Sequence, residues 1–415
     1  MDITGLYGKL AGSDKELSAA AERRFRSLED EHVKLFGKKA EAVFSTSGRT
    51  ELGGNHTDHN LGKVLAGSIN LDTIAAVHPT SDNVVYFDSE GYPAIHADIS
   101  NLDVHEQLYG TTEAIIIGVA AAMAKRGGTV GGFCANVSSS VFKGSGLSSS
   151  AAVEVLIGTI FNSLFNGDRF STTELAIMGQ EAENIHFGKP SGLMDQIACA
   201  NGGIVGIDFL NPKEPLITPV EADFADYGFN LVITTTGGNH ADLTADYASI
   251  PSEMQLVAHH FDKEYLRDVD EDQFMSEIGE LRKAIGNDRA ILRALHFFEE
   301  NRRVSEMISA LQENDFERYL STVSESGDSS FRFLQNIYSP KAFDEQGISL
   351  ALAMTESFLK GKGACRVQGG GFAGTIEAYI PCDMTGSYFR HMEKLFGEGC
   401  CTVLAIRNLP TTRVK

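Results

Sequence analysis

The chain has 415 residues, 42% hydrophobic and 22% charged, with a formal net charge of −21. It is longer than one core usually grows, so two domains are expected, and its acidity argues against a nucleic-acid binder, which would show a basic footprint. No run approaches the roughly 20 apolar residues of a membrane span, and the start MDITGLYGKLAGSDKE lacks the basic and apolar blocks of a leader, so a cytoplasmic protein with no membrane partner is expected.

Residues 15–37 place Ala21, Phe25, Leu28 and Phe36 at mixed three- and four-residue spacing, which predicts an amphipathic helix. Between Gly48 and Asn60 the chain reads GRTELGGNHTDHN: one fixed cation, two carboxylates, two imidazoles and three glycines. This is either a solvated loop or a pocket that must hydrogen-bond a polyhydroxylated ligand. Short apolar runs over 64–88 and 93–99, parted by turn residues, predict strands. TEAIIIGVAAAMAKRGG (112–128) predicts a buried helix ended by its glycine pair.

KGSGLSSSAAVEV (143–155) sets glycines and serines before a helix start. Its free N–H groups and dipole suit phosphate oxygens, although a plain serine cap gives the same pattern. No Walker A motif occurs. Helices are predicted over 149–166 and 172–187. In EAENIHFGKPSGLMDQ (181–196), Asp195 lies between Met194 and Gln196, as a partly desolvated base or anchor, or as a helix cap. Strands are predicted at 202–209 and 229–236, with a domain boundary near 210–228, dividing the chain into 1–220 and 221–415. TTTGGNHADLTADY (234–247) turns from strand to helix and carries His240 and Tyr247. Residues 251–336 read as almost wholly helical, and a strand–loop–helix–strand block follows over 365–380, 384–397 and 402–408. Within it VQGGGFAGT (367–375) has glycines that permit close backbone approach. The six cysteines have no metal-ligand spacing and are expected to be reduced and mostly buried.

In order and content these segments resemble the GHMP small-molecule kinases, and among them the galactokinases. The first is similar to the signature G-R-x-x-L-x-G-x-H-T-D-x-N, the second to the phosphate loop G-x-G-L-S-S-S-A and the last to G-G-G-F-x-G; EAEN and GKPSGLMDQ are similar to the stretch with the metal-binding Glu and catalytic Asp. The resemblance implies an α+β fold: an N-terminal α+β domain and a C-terminal ferredoxin-like domain, with the active site between them. It implies ATP-dependent phosphorylation of galactose at its anomeric hydroxyl, with Mg2+, by a chain expected to be monomeric. Asp195 and Arg49 would be catalytic. Asn55, His56, Thr57, Asp58, Gly192, Asp195 and Tyr247 would bind the sugar. Gly144, Ser145, Gly146, Leu147, Ser148, Ser149 and Ser150 would hold the nucleotide, and Ser150 and Glu183 the metal.

Four positions depart from the galactokinase pattern. Asn55 stands where the family has Glu, Glu51 where it has Asn, His59 where it has Tyr, and Asn184 where it has His. An amide donates and accepts whereas a carboxylate only accepts, so the contacts along one sugar edge should differ, and Glu51 is the candidate to supply the missing carboxylate. A kinase of a related sugar (an N-acetylhexosamine, arabinose or a uronic acid) is the alternative. A sugar and ATP sensor without catalysis is a third reading, against which the intact GSGLSSSAA stands.

Overall fold

A computed structural model describes residues 10, 15–141, 146–237 and 243–415. The first helix, α1 (Lys15–Phe36), covers one face of an eight-stranded sheet, where Phe25 and Leu28 pack on Val43, Ile74 and Ala76. That sheet contains β1 (Ala42–Gly53), β2 (Lys63–Pro79), β3 (Val84–Ser89), β4 (Ile95–Asp98), β5 (Phe133–Ser139), β6 (Ile204–Asp208), β7 (Leu216–Val220) and β12 (Thr412–Arg413). The helices α2 (Thr112–Lys125), α3 (Ser149–Asn166) and α4 (Thr172–Glu181) build the core on the opposite face.

Strand β1 runs into the stretch that read as either a solvated loop or a pocket. All 12 of its residues are buried although half of them are polar or charged. It forms because the strand is enclosed on both faces and each polar group finds a partner: Ser45 donates to Asp72 at 2.6 Å, and Thr50 to Glu377 at 2.6 Å. Its pairing with β2 slips between Ser47 and Arg49 and again between Glu51 and Gly53. Such bulges redirect side chains.

The second sheet has the order β11-β8-β10-β9 and is antiparallel throughout, formed by β8 (Phe229–Thr235), β9 (Ala364–Val367), β10 (Thr375–Pro381) and β11 (Cys401–Leu404). Counted along the chain this is 4-1-3-2 with helices between, the ferredoxin-like arrangement. Helices α10 (Gly347–Leu359) and α11 (Thr385–Phe396) pack with the face carrying Val232, Ala378 and Ile380. A helical layer of α6 (Thr244–His260), α7 (Glu271–Ile285), α8 (Asp288–Gln312) and α9 (Phe316–Ser329) joins the two sheets.

A single cut after residue 220 does not separate the halves. Strand β12 pairs with β1, and Arg407, with no exposed side-chain surface, donates to Ser45 Oγ at 2.7 Å. The C-terminal residues thus return to the first sheet. Five of the six cysteines are buried, Cys382 being exposed. Among the described residues no helix is long and apolar enough to cross a membrane.

Candidate active site

The site forms where β1, the start of α3, the start of α5 (Met194–Asn201) and the loop between β9 and β10 converge. Gly48 lets β1 approach the phosphate loop: a Cβ there would lie 2.8 Å from the Leu147 carbonyl, which accepts from Arg49 N at 3.1 Å. Gly144 and Ser145 lie outside the described residues, as does His240. Gly146 (φ +71°) and Ser148 (φ +61°) are both left-handed, a conformation uncommon for residues other than glycine. Leu147 is buried and Ser150 exposed on the first turn of α3.

Ser148 stands in the cap position but makes no side-chain capping bond. Its hydroxyl donates instead to Asp195 Oδ2. Asp195 is likewise not a cap; Leu193 precedes the helix, and the Asp195 carboxylate accepts from Arg49 Nε at 2.7 Å. Burial pushes this carboxyl up, but the Arg49 charge and the two hydrogen bonds outweigh it and hold it below the ordinary value. Asp195 is therefore ionised at neutral pH.

Glu183 lies in a π-helical turn (Ala182–Phe187) that extends α4, a widening common at functional sites. Its Oε1 accepts from Lys189 Nζ at 2.8 Å, and its Oε2 from Ser191 Oγ at 2.5 Å and Gln196 Nε2 at 3.1 Å. The carboxylate is an oxygen ligand of the kind a hard cation takes, but here its charge is met by the Lys189 ammonium. Among the described residues no three His, Cys, Asp or Glu side chains cluster to hold a metal. Ser150 and Glu183 would thus need phosphate and water oxygens to complete a magnesium shell.

The turn expected to meet the sugar follows β1. Gly54 (φ +91°) and His56 (φ +58°) reverse the chain into a short 3-10 turn at Asp58–Asn60. His56 is pushed down to about 3, chiefly by burial, so the neutral ring donates from Nε2 to Gly370 O at 2.9 Å and keeps Nδ1 as an acceptor. Asp58 is partly exposed, with Gly192 packed against its carboxylate so closely that a Cβ would lie 1.7 Å from Oδ2. Tyr247 OH donates to Gly371 O at 3.0 Å.

Two of the residues expected at the sugar are buried and bonded within the protein. Thr57 is buried, and its hydroxyl bonds Gly54 O at 2.9 Å and Lys63 O at 2.6 Å. Asn55 is wholly buried and spends its carboxamide on protein partners, including Glu51 Oε1 at 2.8 Å. Glu51 is 2% exposed and pairs with the fully buried Arg366 at 2.8 Å.

The sequence reading overlooked Glu154, Lys189, Gln196, Asn336 and Arg366. Glu154 shares Gln196 Nε2 with Glu183, at 2.9 Å, and burial followed by the Glu183 charge raises its carboxyl. A lone carboxylate inside the apolar run AAVEVLIGTIF was the available signal.

Residues 114–203 match the family model of the GHMP kinases N terminal domain, and residues 30–79 that of the galactokinase galactose-binding signature. Fold and site together define a small-molecule kinase of the GHMP type. The structure superposes on the Lactococcus lactis galactokinase complexed with galactose with a TM-score of 0.80 at 22% identity, covering 94% of this chain and 99% of that one. It also superposes on the Methanococcus jannaschii mevalonate kinase with a TM-score of 0.61 at 13% identity, over 88% and 98% of the two chains. A galactokinase of Lacticaseibacillus casei (strain BL23) is 31% identical over 376 residues, 88% of this chain and 91% of that protein. The chain belongs to the galactokinase family.

Proposed function

We propose that the protein transfers the γ-phosphoryl group of ATP to the anomeric hydroxyl of galactose, giving galactose 1-phosphate and ADP. The observation that carries this reading is the Asp195 carboxylate, held between Arg49 and the phosphate-loop residue Ser148. The hydroxyl oxygen bonds to phosphorus as the bond to the ADP oxygen breaks, and Asp195 takes the hydroxyl proton. A carboxylate of depressed pKa is a weak base. In a loose phosphoryl transfer the nucleophile needs little prior deprotonation, so Asp195 chiefly orients the hydroxyl and receives its proton late. Arg49 keeps Asp195 ionised and offsets charge on the transferring group. The first-turn amides of α3 receive phosphate oxygens, and Ser150 and Glu183 would hold a magnesium ion, which would supply charge neutralisation there. His56, Asp58, Gly192 and Tyr247 form the sugar side.

The exchange of residue types at 51 and 55 favours, as a second reading, a related sugar as acceptor. An ADP-release assay across a panel of monosaccharides, with product regiochemistry by NMR, tests both. Turnover on galactose with phosphate on C1 supports the first reading, preference for another sugar supports the second, and no ADP release with any sugar removes both.

A further inference from the structure

Asn55 sits in the middle of the sugar turn yet is 0% exposed. Its Nδ2 donates to Glu51 Oε1 at 2.8 Å and to Gly369 O at 2.7 Å. Its Oδ1 accepts from Asn336 Nδ2 at 2.7 Å and, more distantly, from Ser330 Oγ at 3.5 Å. Its backbone carbonyl meets His296 Nε2 at 3.0 Å. A carboxamide has two donors and two acceptor sites. All four are used, and none remains for a sugar hydroxyl.

Asn336 comes from the other half of the chain, just after the π-helical turn Ser330–Leu334 and a left-handed Gln335 (φ +57°). It too is 0% exposed. Its Nδ2 reaches Asn55 and also Gly370 O at 3.2 Å. Gly370 O is the same carbonyl that accepts from His56 Nε2 at 2.9 Å. The Asn336 backbone carbonyl accepts from Phe372 N at 2.5 Å, and Gly371 (φ +80°) admits it so closely that a Cβ would be 2.1 Å away. The next carbonyl along, Gly371 O, receives Tyr247 OH at 3.0 Å. One buried amide thus holds both the sugar turn and the glycine loop against which His56 and Tyr247 are set.

We propose that Asn336 is a positioning residue for the sugar, fixing the turn through Asn55 and the loop through Gly370, so that His56 Nδ1 and the Tyr247 ring are presented together. Asn55 acts as the receiving end of this tie and does not touch the sugar. The proposal rests on the sugar-kinase reading above. The Asn336 Oδ1 has no partner among the described residues, so the side chain is held through Nδ2 alone. Replacing that donor removes the attachment.

The test uses Asn336→Asp, which sets a carboxylate against two acceptors, Asn336→Ala, Asn55→Ala and the double alanine variant. With the preferred sugar of the wild-type protein, both Asn336 variants should raise the sugar KM about tenfold or more while the ATP KM stays within about twofold. The double variant should be no worse than the poorer single one, because residues joined by one contact are non-additive. In the substrate-free proteins, amide hydrogen exchange over residues 54–60 should quicken in both Asn336 variants. Where Asn336→Asp does not fold, the uncharged Asn336→Ala decides. A sugar KM within twofold of wild type, an equal rise in the ATP KM, additive effects in the double variant, or unchanged exchange would each overturn the proposal. If the wild-type protein phosphorylates no sugar, the kinase reading fails by itself, and the exchange comparison, which needs no substrate, still decides whether Asn336 holds the turn.

Discussion

Asp195 is a half-buried carboxylate held ionised by Arg49 and Ser148. Asp195→Ala should cut kcat by about 10²–10⁴-fold while leaving ATP affinity near wild type, since the phosphates are held elsewhere; equilibrium binding beside steady-state kinetics checks this, and near-normal turnover would remove Asp195 from its role. Glu183 now answers to Lys189. Removing the carboxylate (Glu183→Ala) or the Ser150 hydroxyl (Ser150→Ala) should raise the magnesium needed for half-maximal rate, and Lys189→Met, which frees the carboxylate of its resident ammonium, should lower it. A magnesium titration that does not shift in any of the three would displace these residues from the metal site. At position 55 the geometry gives a direction too. Asn55→Glu would place a carboxylate against Glu51 Oε1 and Gly369 O, now 2.8 Å and 2.7 Å from a donor. Like charges so close, without a shared proton, repel. Turnover on galactose should therefore fall, and adding Glu51→Gln should recover part of it, whereas a gain of about tenfold in kcat/KM (about 1.4 kcal/mol) from Asn55→Glu alone would mean that residue 55 does read the sugar.

At the scale of elements, two close approaches lie one on each side of the proposed site. Gly48 brings β1 against the phosphate loop at Leu147 O, and Gly192 brings the loop before α5 against Asp58, with hypothetical Cβ distances of 2.8 Å and 1.7 Å. A methyl group cannot be accommodated at either distance without movement. Gly48→Ala should raise the ATP KM and Gly192→Ala the sugar KM, each by about tenfold, with the other constant little changed. A reversed or shared effect would show that these elements do not position the substrates separately. Both contacts join segments far apart in sequence, which local periodicity does not report.

The whole molecule keeps several histidines neutral inside it. Burial pushes His32 down to about 4 and His56 to about 3, and lowers His296 as well. His32 Nε2 lies 2.7 Å from His78 Nδ1, with Lys38 and Glu41 acting on His78 from the chain between helix and sheet. A folded pKa below the unfolded one means that unfolding takes up protons. The stability these rings contribute is complete above about 6.5 and is lost as the pH falls towards about 4 for His32 and about 3 for His56. The melting temperature should drop between pH 6.5 and 4, and His32→Gln should flatten that drop; an unchanged slope would show that His32 does not titrate with unfolding. Glu300, held at about 2, adds its own loss only below the ordinary carboxylate range.

Periodicity was enough for α1, α2, α3 and the helical stretch after 251, because each buries one stripe or a continuous apolar run. The glycine, serine and acid spacings left residues 143–155 and Asp195 open between a ligand role and a helix cap, because local sequence does not show that the Ser148 hydroxyl and Arg49 meet the Asp195 carboxylate. Strand β1 was not legible, because its polar residues are buried only once the sheet and its covering layers enclose them. The roles of residues 51 and 55 were not legible either. Which hydrogen bonds a carboxamide or carboxylate makes depends on the groups brought beside it, and Arg366, Gly369 and Asn336 reach them from more than 250 residues away, at separations of 315, 314 and 281. Only the folded chain, by closing those distances and taking the partners out of water, buried the two residues that read as sugar ligands in bonds to the protein itself.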